Sequence, residues 1–579
     1  MSKDEEKEQA EFLFRYTSGR WLNSESDKVA EHYTKFNVDA LKDVAASAGG
    51  AQSVTSVTKL AEGGFNRVLL LGLDNGKEVV ARIPMARVDN TELVVTESDV
   101  ATMEYVRARL GLPVPRVLAW CADLRMTPVG AEYIIMEKAE GTELFKVWPR
   151  LDLKQKKAVV DQWIGIEKAL LRSSANGYGS LFHRNDVLPN LSFVDLCTDG
   201  VKESDFVVGL HVGSSFWAEE RKELDIDRGP FGLHVGSSFW AEERKELDID
   251  RGPWRNTLSY MTAAARREIV WISKFAKVDK KRSSFYPPAY QPNAHVALLE
   301  RYLEVIPHFA PSDTDLTRPG LVYDDSSQAN IFISEEKLAE GKIEISAVID
   351  WSCTAVRPLF MAARWPKFAK HPSPHTTPRS GSESYGVGDV PPRNFDASLC
   401  KEELFDIRAD LELRTLHDHY GKACAQRNPE YYRAMSFNNR ELVEMTVDFS
   451  GRTWTDDLYA PLQACLAYIS QHWSRLVLKT PLPTSLQFTH QDFARIQDET
   501  HAWRTSARNM SFLRNALKIQ DEDCWVHPDD FVRATVLNSE LKKGFVEMAR
   551  SERQKESLEK AWPFEPEDGD GPEPDTARR

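Results

Sequence analysis

The first ordered stretch of the chain alternates apolar and polar residues over short distances. The sequence SVTSVTKLAEGGFNRVLLLGLDNGKEVVARIP predicts three antiparallel strands, with Asn75-Gly76 as a tight hairpin turn between the second and the third. Residues 91–110 then have helical spacing, and two more extended segments, RVLAWCA and AEYIIMEKA, follow. We therefore predict a small antiparallel lobe of five strands and one helix at 53–140, behind an N-terminal extension at 1–52.

Beyond this lobe the hydrophobic pattern changes to long amphipathic stretches. Residues 154–172 and 255–277 both have the spacing of helices with one apolar face. One strand-rich segment, 321–351, interrupts them, and in it two β-rich stretches flank a polar turn. The prediction is an α+β chain in which a larger, mainly helical lobe occupies 141–550.

Three segments depart from these patterns. The sequence GLHVGSSFWAEERKELDIDRGP occurs twice without a difference within 209–253, which indicates a recent duplication or a gene-model artefact rather than a solenoid. Only one copy fits a fold with room for one, and the sequence leaves open which copy docks. Residues 371–396 are rich in Pro, Gly and Ser and predict a mobile excursion, and the acidic residues 551–579 predict a disordered tail.

The amino-acid composition limits the kinds of molecule that the protein is expected to bind. A net charge of -14 over 579 residues argues against a surface that binds nucleic acid or anionic lipid, so a small ligand is expected. The seven cysteines form no CxxC pair, which suits a reducing compartment without a zinc cluster. The acidic N-terminus resembles neither a secretory signal nor a mitochondrial presequence, and no apolar stretch reaches the ~20 residues that span a bilayer. We expect a cytoplasmic protein without a membrane partner.

Candidate chemistry is concentrated in the 321–351 segment. Asp325 is followed five residues later by Asn330, and Asp350 comes twenty residues after that, at the end of a second β-rich stretch. A strand pair joined by a turn would bring the three together. In kinase-like phosphoryl transfer, such an Asp takes the proton of the attacking hydroxyl, and the Asn and the later Asp hold Mg²⁺. The alternative is that Asp325 and Asn330 are ordinary turn residues.

Two features of the small lobe suit nucleotide phosphates. Gly63-Gly64-Phe65-Asn66 lies between two strands, where small residues let backbone N–H groups approach phosphate oxygens. A simple hairpin turn would also explain the glycines. Arg82, near the end of the third strand, stands where a kinase has the lysine that grips the α and β phosphates. A surface arginine at a strand edge is the alternative.

The following helix and the last strand supply the remaining candidates. The helix contains Glu97, Asp99 and Glu104, and Asp99 aligns with the usual acidic partner of the phosphate-gripping cation. A solvated helix face would explain all three equally well. Glu137 and Ala139, in IMEKA, are similar to a hinge between lobes whose backbone meets adenine, although a buried strand fits the same pattern.

Taken in order, these motifs resemble the aminoglycoside phosphotransferase and choline kinase superfamily. YTSGRWL, GGFNRV, VVARIP, SDVATMEYVR, RGPW and VIDW resemble its fungal branch, often labelled phosphotransferase enzyme family or altered inheritance of mitochondria protein nine. The resemblance implies a protein-kinase-like two-lobed fold, ATP and Mg²⁺ as cofactors, and transfer of a phosphoryl group to a hydroxyl of a small molecule. It implies Asp325 as the base and Asn330 and Asp350 as metal ligands. A mitochondrial location enters only through the family label.

The catalytic loop departs from the family pattern. Relatives read HxDLHxxN, and this chain reads YDDSSQAN, so Tyr323 and Ser327 replace both histidines. The base and metal ligands remain, which favours an active enzyme. The altered loop and Arg82 also allow a pseudo-phosphotransferase that binds a nucleotide or a protein and does no chemistry. No DFG or APE segment follows Asp350, which argues against a protein kinase.

Overall fold

The computed structural model describes most of the chain, with gaps. The described residues are 3–23, 25–85, 92–187, 192–212, 248–276, 291–352, 354–371, 401–454, 456–477, 480–520, 524–549, 551–560 and 562–564. Most of the predicted excursion (372–396), the end of the predicted tail (565–579) and the middle of the duplicated segment (213–247) lie outside them. Among the described residues, no helix is both long enough and apolar enough to cross a lipid bilayer.

Helices and strands alternate first and helices dominate later. The helices are α1 (Lys3–Phe14), α2 (Glu25–Glu31), α3 (Val38–Ala48), α4 (Glu92–Ala108), α5 (Leu144–Val147), α6 (Leu153–Leu170), α7 (Thr257–Phe275), α8 (Pro292–Phe309), α9 (Thr314–Thr317), α10 (Glu335–Ala339), α11 (Leu359–Ala362), α12 (Lys401–Arg427), α13 (Pro429–Met435), α14 (Arg440–Ser450), α15 (Tyr459–Gln471), α16 (Trp473–Leu476), α17 (His490–Leu517), α18 (Pro528–Glu547) and α19 (Glu552–Lys560). The strands are β1 (Arg20–Trp21), β2 (Val54–Glu62), β3 (Asn66–Leu73), β4 (Glu78–Pro84), β5 (Val117–Cys121), β6 (Tyr133–Glu137), β7 (Thr142–Glu143), β8 (Ser173–Ala175), β9 (Gly179–His183), β10 (Val194–Thr198), β11 (Val201–Val208), β12 (Pro319–Val322), β13 (Ile331–Ile333), β14 (Ile345–Val348), β15 (Ala355–Pro358) and β16 (Trp525–Val526).

The small lobe is built on one antiparallel sheet. Its five strands lie in the order β2-β3-β4-β6-β5, and burial alternates strictly along β3, where Leu69 and Leu71 face the core. Gly76 has a φ of +79°, so the β3–β4 turn uses the left-handed backbone that glycine adopts without strain. The helix α3 packs its buried Leu41 into the same apolar cluster. The residues before the sheet therefore belong to the core of this lobe.

The second lobe contains more sheet than the sequence pattern predicts. Strands β8–β11, within 173–208, were missed, and with β12 and β15 they form a six-stranded sheet in the order β12-β15-β9-β11-β10-β8. β8 has only three residues, and the β10–β11 pairing shifts register between Asp195 and Cys197, which breaks the alternation that marks a strand. The helices α6, α7 and α8 bury apolar faces in one large core with this sheet. The α+β architecture, with a small antiparallel lobe and a larger mainly helical lobe, is as predicted.

The 321–351 segment forms two strand pairings where the sequence predicts one. β12 pairs with β15, whereas β13 pairs with β14, with Ile331 opposite Val348. The polar turn after β12 therefore does not join two paired strands. β15 lies beyond the predicted segment and pairs with both β12 and β9, as part of the large sheet. β13 instead pairs with β14 and with β7.

Both copies of the duplicated sequence contribute to the fold. The first copy supplies its beginning, where the Gly209 N–H donates to the Ser180 carbonyl at 2.9 Å. The second copy supplies its end, where the Arg251 carbonyl accepts a hydrogen bond from the His211 N–H at 2.8 Å. The described residues of the duplicated sequence therefore correspond to the beginning and the end of a single copy. The beginning comes from the first copy and the end from the second.

Candidate functional site

The antiparallel β13–β14 pair brings two predicted metal ligands to one edge. Asn330 directly precedes β13, and Asp350 follows β14 by one intervening residue, Ile349. The Ile349 N–H donates to the Asn330 carbonyl at 2.9 Å, which extends the strand pairing to the start of the polar loop. Asn330 and Asp350 therefore lie close together although twenty positions separate them.

The predicted base is held by the predicted metal ligand. The side-chain Nδ2 of Asn330 donates to Asp325 Oδ2 at 2.9 Å and to the Asp325 carbonyl at 3.3 Å. The Asp325 side chain is 43% exposed, so its carboxylate is open to a ligand from solution. Because the amide nitrogen is the donor in both contacts, the side-chain oxygen is the Asn330 atom that could act as a metal ligand.

Tyr323 stabilises the polar loop that carries Asp325. Its hydroxyl donates to the Ile349 carbonyl at 2.7 Å, and its ring packs against Trp163 and Trp351. Burial raises the pKa of Tyr323 far above its ordinary value, and the negative charges of Asp350 and Asp325 raise it further. The tyrosine stays neutral and ties the loop to the end of β14, and both carboxylates lie within electrostatic reach of it.

The two adjacent aspartates have different surroundings. Asp324 forms an ion pair with Arg357 of β15. Burial lowers the pKa of Arg357, and this half-buried pair links the loop to the large sheet. The partner of Asp324 is thus part of the sheet, whereas Asp325 contacts Asn330 of its own loop.

Asp350 stands at a sharp change of chain direction. Its φ of +58° lies in the left-handed region, which non-glycine residues adopt rarely and Asp tolerates better than most. The side chain is exposed, and the next residue, Trp351, is fully buried. The backbone turn therefore leaves a carboxylate in solvent directly beside a core tryptophan, an arrangement that is typical of functional sites.

Arg82 and Asp99, predicted as partners, are joined in the structure. Arg82 Nη2 donates to Asp99 Oδ2 at 2.6 Å, and Nη1 donates to Ser352 Oγ at 2.7 Å. Ser352 Oγ in turn donates to Asp99 Oδ2 at 3.0 Å. Because Ser352 lies two residues after Asp350, this triangle connects β4 and α4 of the small lobe to the edge of the large lobe that carries the predicted metal ligands.

The other two acidic residues that the sequence singled out in α4, Glu97 and Glu104, face elsewhere. Glu104 Oε2 contacts His183 Nε2 at 2.9 Å, on the large lobe. Burial and the nearby charge of Asp186 raise the pKa of Glu97 to about 7. Of the three acidic residues, only Asp99 reaches Arg82.

The glycine turn is open on its outer side. A Cβ placed on Gly63 or Gly64 would meet no atom within 4 Å, and neither residue has the positive φ that requires glycine. The Gly63 N–H donates to the Asn66 carbonyl at 3.0 Å, which closes the turn, and Phe65 is 57% exposed at its tip. The fold itself therefore leaves unused space above the two glycines.

The base of this turn is fixed by a buried ion pair that the sequence did not single out. Arg67 Nε lies 2.8 Å from Glu62 Oε1, and both side chains are inaccessible to solvent. The other Glu62 oxygen accepts from the Thr17 N–H at 2.8 Å. Burial raises the pKa of Glu62, but hydrogen bonds from Lys59, Arg67 and Thr17 outweigh it and lower that pKa. The YTSGRWL motif thus acts as a brace for the glycine turn.

The hinge candidates lie where β6 ends. The Glu137 N–H donates to the Arg116 carbonyl at 2.9 Å, and its Oε1 accepts from Arg116 Nε at 3.0 Å. Glu137 is engaged with β5 through its N–H and its carboxylate. Ala139, two residues further on, is half-buried at the crossing from the small lobe to β7.

A further residue, absent from the sequence prediction, contacts the candidate base. Lys367 Nζ lies 2.6 Å from Asp325 Oδ1. It lies 42 positions from its partner, in a short turn without any recognisable motif, so no pattern in the sequence indicates it. Ser352 directly follows the VIDW motif, but its contact with Arg82 depends on how the two lobes meet, so the motif does not indicate it.

The oxygen donors suit a hard cation. Among the described residues no group of three or more His, Cys, Asp or Glu side chains is placed to hold a metal. A cation at Asn330 and Asp350 would therefore draw its other ligands from water and phosphate oxygens. Mg²⁺ binds in this way, with one or two protein oxygens and several waters.

Comparison with known proteins gives relatives by sequence. A subtelomeric hrmA-associated cluster protein of Aspergillus fumigatus is 30% identical over 520 residues, which cover 88% of this chain and 96% of the relative. Altered inheritance of mitochondria protein 9, mitochondrial, of Yarrowia lipolytica is 26% identical over 528 residues, which cover 87% of this chain and 83% of the relative. No family model matches the chain.

Solved structures give more distant likenesses. An ethanolamine kinase of Plasmodium vivax covers 87% of this chain and 94% of its own, with 9% identity and a TM-score of 0.30. The gentamicin complex of APH(2")-IIa covers 78% of this chain and 99% of its own, with 13% identity and a TM-score of 0.33. Scores this low carry no conclusion about substrate or activity. The sequence relatives confirm the predicted resemblance to altered inheritance of mitochondria protein 9, and the 30% identity over most of both chains shows that the chain belongs to the family of the subtelomeric hrmA-associated cluster protein of Aspergillus fumigatus.

Proposed function

We propose that the protein is an ATP- and Mg²⁺-dependent phosphotransferase that acts on a hydroxyl of a small molecule. The observation that carries the proposal is the contact between Asn330 Nδ2 and Asp325 Oδ2 at the edge where Asp350 emerges. A base and a neutral oxygen donor from one loop converge there with a second carboxylate that lies twenty residues further along the chain. Turn residues without a function have no reason to converge with these chemical types at this edge.

Asp325, Asn330 and Asp350 would have different roles in phosphoryl transfer. Asp325 would accept the proton of the acceptor hydroxyl, which it is exposed enough to meet. Asn330 and Asp350 would hold Mg²⁺, which supplies charge neutralisation on the nucleotide phosphates when it is bound.

The small lobe would hold the nucleotide. The open space above Gly63 and Gly64 suits the close approach of phosphate oxygens to backbone N–H groups, with Phe65 and Asn66 completing the turn. Arg82, oriented by Asp99, would meet the phosphates from the opposite side. Since Glu137 is engaged with Arg116, the adenine contact falls to the backbone near Ala139.

The test is ATP turnover with a panel of hydroxyl compounds. Wild-type protein with Mg-ATP is expected to release ADP faster when an accepted amino alcohol, sugar or aminoglycoside is added. Asp325→Asn should lower kcat about 10²–10⁴-fold while nucleotide binding persists. Asp39→Asn is the matched control, since the Asp39 side chain is 89% exposed and remote from the site by its place in α3.

Two results would contradict the proposal in different ways. Binding of Mg-ATP without turnover for any acceptor, unaffected by Asp325→Asn, would identify a pseudo-phosphotransferase. Absence of nucleotide binding by the wild-type protein would remove the phosphotransferase assignment altogether.

A further inference from the structure

The catalytic loop lacks positive charge at a position where relatives carry a histidine. Ser327, two residues after the candidate base, is neutral and cannot compensate charge on a phosphate. During phosphoryl transfer, negative charge is spread over the oxygens of the transferred group, and donors placed near them lower the barrier. A replacement for the missing donor would have to come from another part of the chain.

Lys367 lies next to the candidate base, where it could supply this donor. Its ammonium lies 2.6 Å from Asp325 Oδ1, the oxygen that Asn330 leaves unoccupied. Its backbone is fixed, because the Lys367 N–H donates to Ser326 Oγ at 2.8 Å. The next side chain, Phe368, is buried and packs on Trp163 with ring centroids 5.8 Å apart. The element that presents the lysine is thereby held against the catalytic loop.

The tip of the lysine is nevertheless free to exchange partners. Its side chain is 63% exposed and the Asp325 side chain is 43% exposed. Ion pairs with this degree of exposure are weak because solvent screens them, so little opposes a move of the ammonium from a carboxylate to a more highly charged phosphate. The move also frees Asp325 Oδ1 to accept a proton, since Oδ2 is held by Asn330.

We propose that Lys367 is a catalytic residue that donates hydrogen bonds to the phosphoryl group in transfer, in place of the cation absent at Ser327. This inference rests on the proposed function. In the step, the acceptor hydroxyl oxygen forms a bond to the γ-phosphorus, and the bond from that phosphorus to the bridging oxygen breaks, leaving its electron pair on ADP. The hydroxyl proton passes to Asp325, and Lys367 keeps all its protons.

The test uses a mimic of the transferring phosphoryl group, so that no acceptor has to be known. Full-length protein is titrated with Mg-ADP alone and with Mg-ADP plus aluminium fluoride, and thermal stability is measured. Wild-type protein is expected to bind the fluoride complex more tightly than Mg-ADP. Lys367→Met should weaken binding of the fluoride complex by about 10²-fold, the effect of losing one such donor, with little change for Mg-ADP. Lys367→Arg keeps the charge and should recover part of the loss.

Lys370→Met is the matched control, because Lys370 is an exposed lysine three residues away on the same turn. It should behave as the wild type with both ligands. If the wild type binds Mg-ADP but Lys367→Met binds the fluoride complex as well as or better than the wild type, Lys367 is a bystander or an inhibitory plug and the inference is wrong. If the wild type binds Mg-ADP but gains nothing from fluoride, the inference is also wrong. Failure of the wild type to bind Mg-ADP refutes the proposed function instead.

Discussion

Arg82 shows how one side chain joins the two lobes. Its two terminal nitrogens reach different partners, Asp99 at 2.6 Å and Ser352 at 2.7 Å. A planar guanidinium holds both contacts at once in a fixed geometry, which the single ammonium of lysine does not reproduce. The partnership with Asp99 followed from their positions on a strand and the next helix. Ser352 could not be foreseen, because it depends on how the large lobe meets the small one.

Arg82→Lys is predicted to loosen this junction. Loss of one charge-assisted hydrogen bond in a buried setting should lower stability by about 1–3 kcal/mol, and Mg-ATP binding should weaken at the same time. Thermal denaturation with and without Mg-ATP measures both effects. Unchanged stability together with tighter nucleotide binding would mean that the arginine is not adapted to this site.

Glu167 provides a test by pH away from the site. The carboxyl accepts hydrogen bonds from Tyr420 and Trp163, and burial raises its pKa to about 8. The folded state therefore holds a proton that the unfolded state releases above its ordinary pKa near 4.5. The stability that this proton provides is complete below that value and is lost as pH rises towards about 8.

Glu167→Gln imitates the protonated carboxyl at every pH. We predict that the difference in Tm, variant minus wild type, grows steadily between pH 5 and pH 8, whatever its starting value. Scanning fluorimetry across that range is sufficient. A difference that stays flat would mean that Glu167 does not titrate in this window.

At the scale of elements, the glycine turn illustrates what local sequence can reveal. The β3–β4 hairpin and the turn between β2 and β3 followed from strong alternation and from glycine placement. Neither Gly63 nor Gly64 is required by the fold, since each has room for a Cβ. The proposed nucleotide site would explain the two glycines, because phosphates bound there would need the space.

Replacing both Gly63 and Gly64 with alanine distinguishes a role in ligand binding from a role in the fold. Stability without ligand should stay the same or rise by about 0.4–1 kcal/mol, because alanine restricts the unfolded chain. Binding of Mg-ATP should weaken, because the methyl groups occupy the space of the phosphates. The measurement is a titration followed by thermal shift. A fall in stability with unchanged Mg-ATP binding would mean that the two glycines have a purely structural role.

The duplicated segment makes a second prediction at this scale. Deleting residues 213–235 leaves one intact copy whose two ends are the two that dock, near Ser180 and Arg251. A shorter connection costs less entropy to close, so Tm should be unchanged or raised by the equivalent of at most about 1 kcal/mol. A large fall in Tm would show that the second copy contributes contacts of its own.

The whole molecule shows where inference from the sequence ends. Local patterns indicated the small lobe, the long helices and the convergence of Asp325, Asn330 and Asp350. They missed β8–β11, because β8 is short and the β10–β11 pairing shifts register, so the strand periodicity is weak, and they placed one strand pairing where two exist. Lys367 could not be predicted for a different reason, because its contact with Asp325 is created by tertiary packing alone.

The site as a whole depends on both lobes together. The Arg82–Asp99–Ser352 triangle couples the proposed nucleotide side to the proposed metal side, so a ligand that bridges them should stabilise both lobes. A ligand present at 100 times its Kd adds about 2.7 kcal/mol to the stability of the state that binds it. This makes a thermal shift a direct readout of the proposed nucleotide site.

The most direct measurement is therefore a thermal-shift titration with Mg-ATP on the wild type, on Asp350→Asn and on the control Asp39→Asn. Asparagine is chosen because it tolerates the left-handed backbone at Asp350 and removes only the charge. We predict a Mg²⁺-dependent rise in Tm for the wild type and the control, and its loss in Asp350→Asn. Equal shifts in all three proteins would place the metal elsewhere, and no shift in the wild type would contradict the nucleotide site itself.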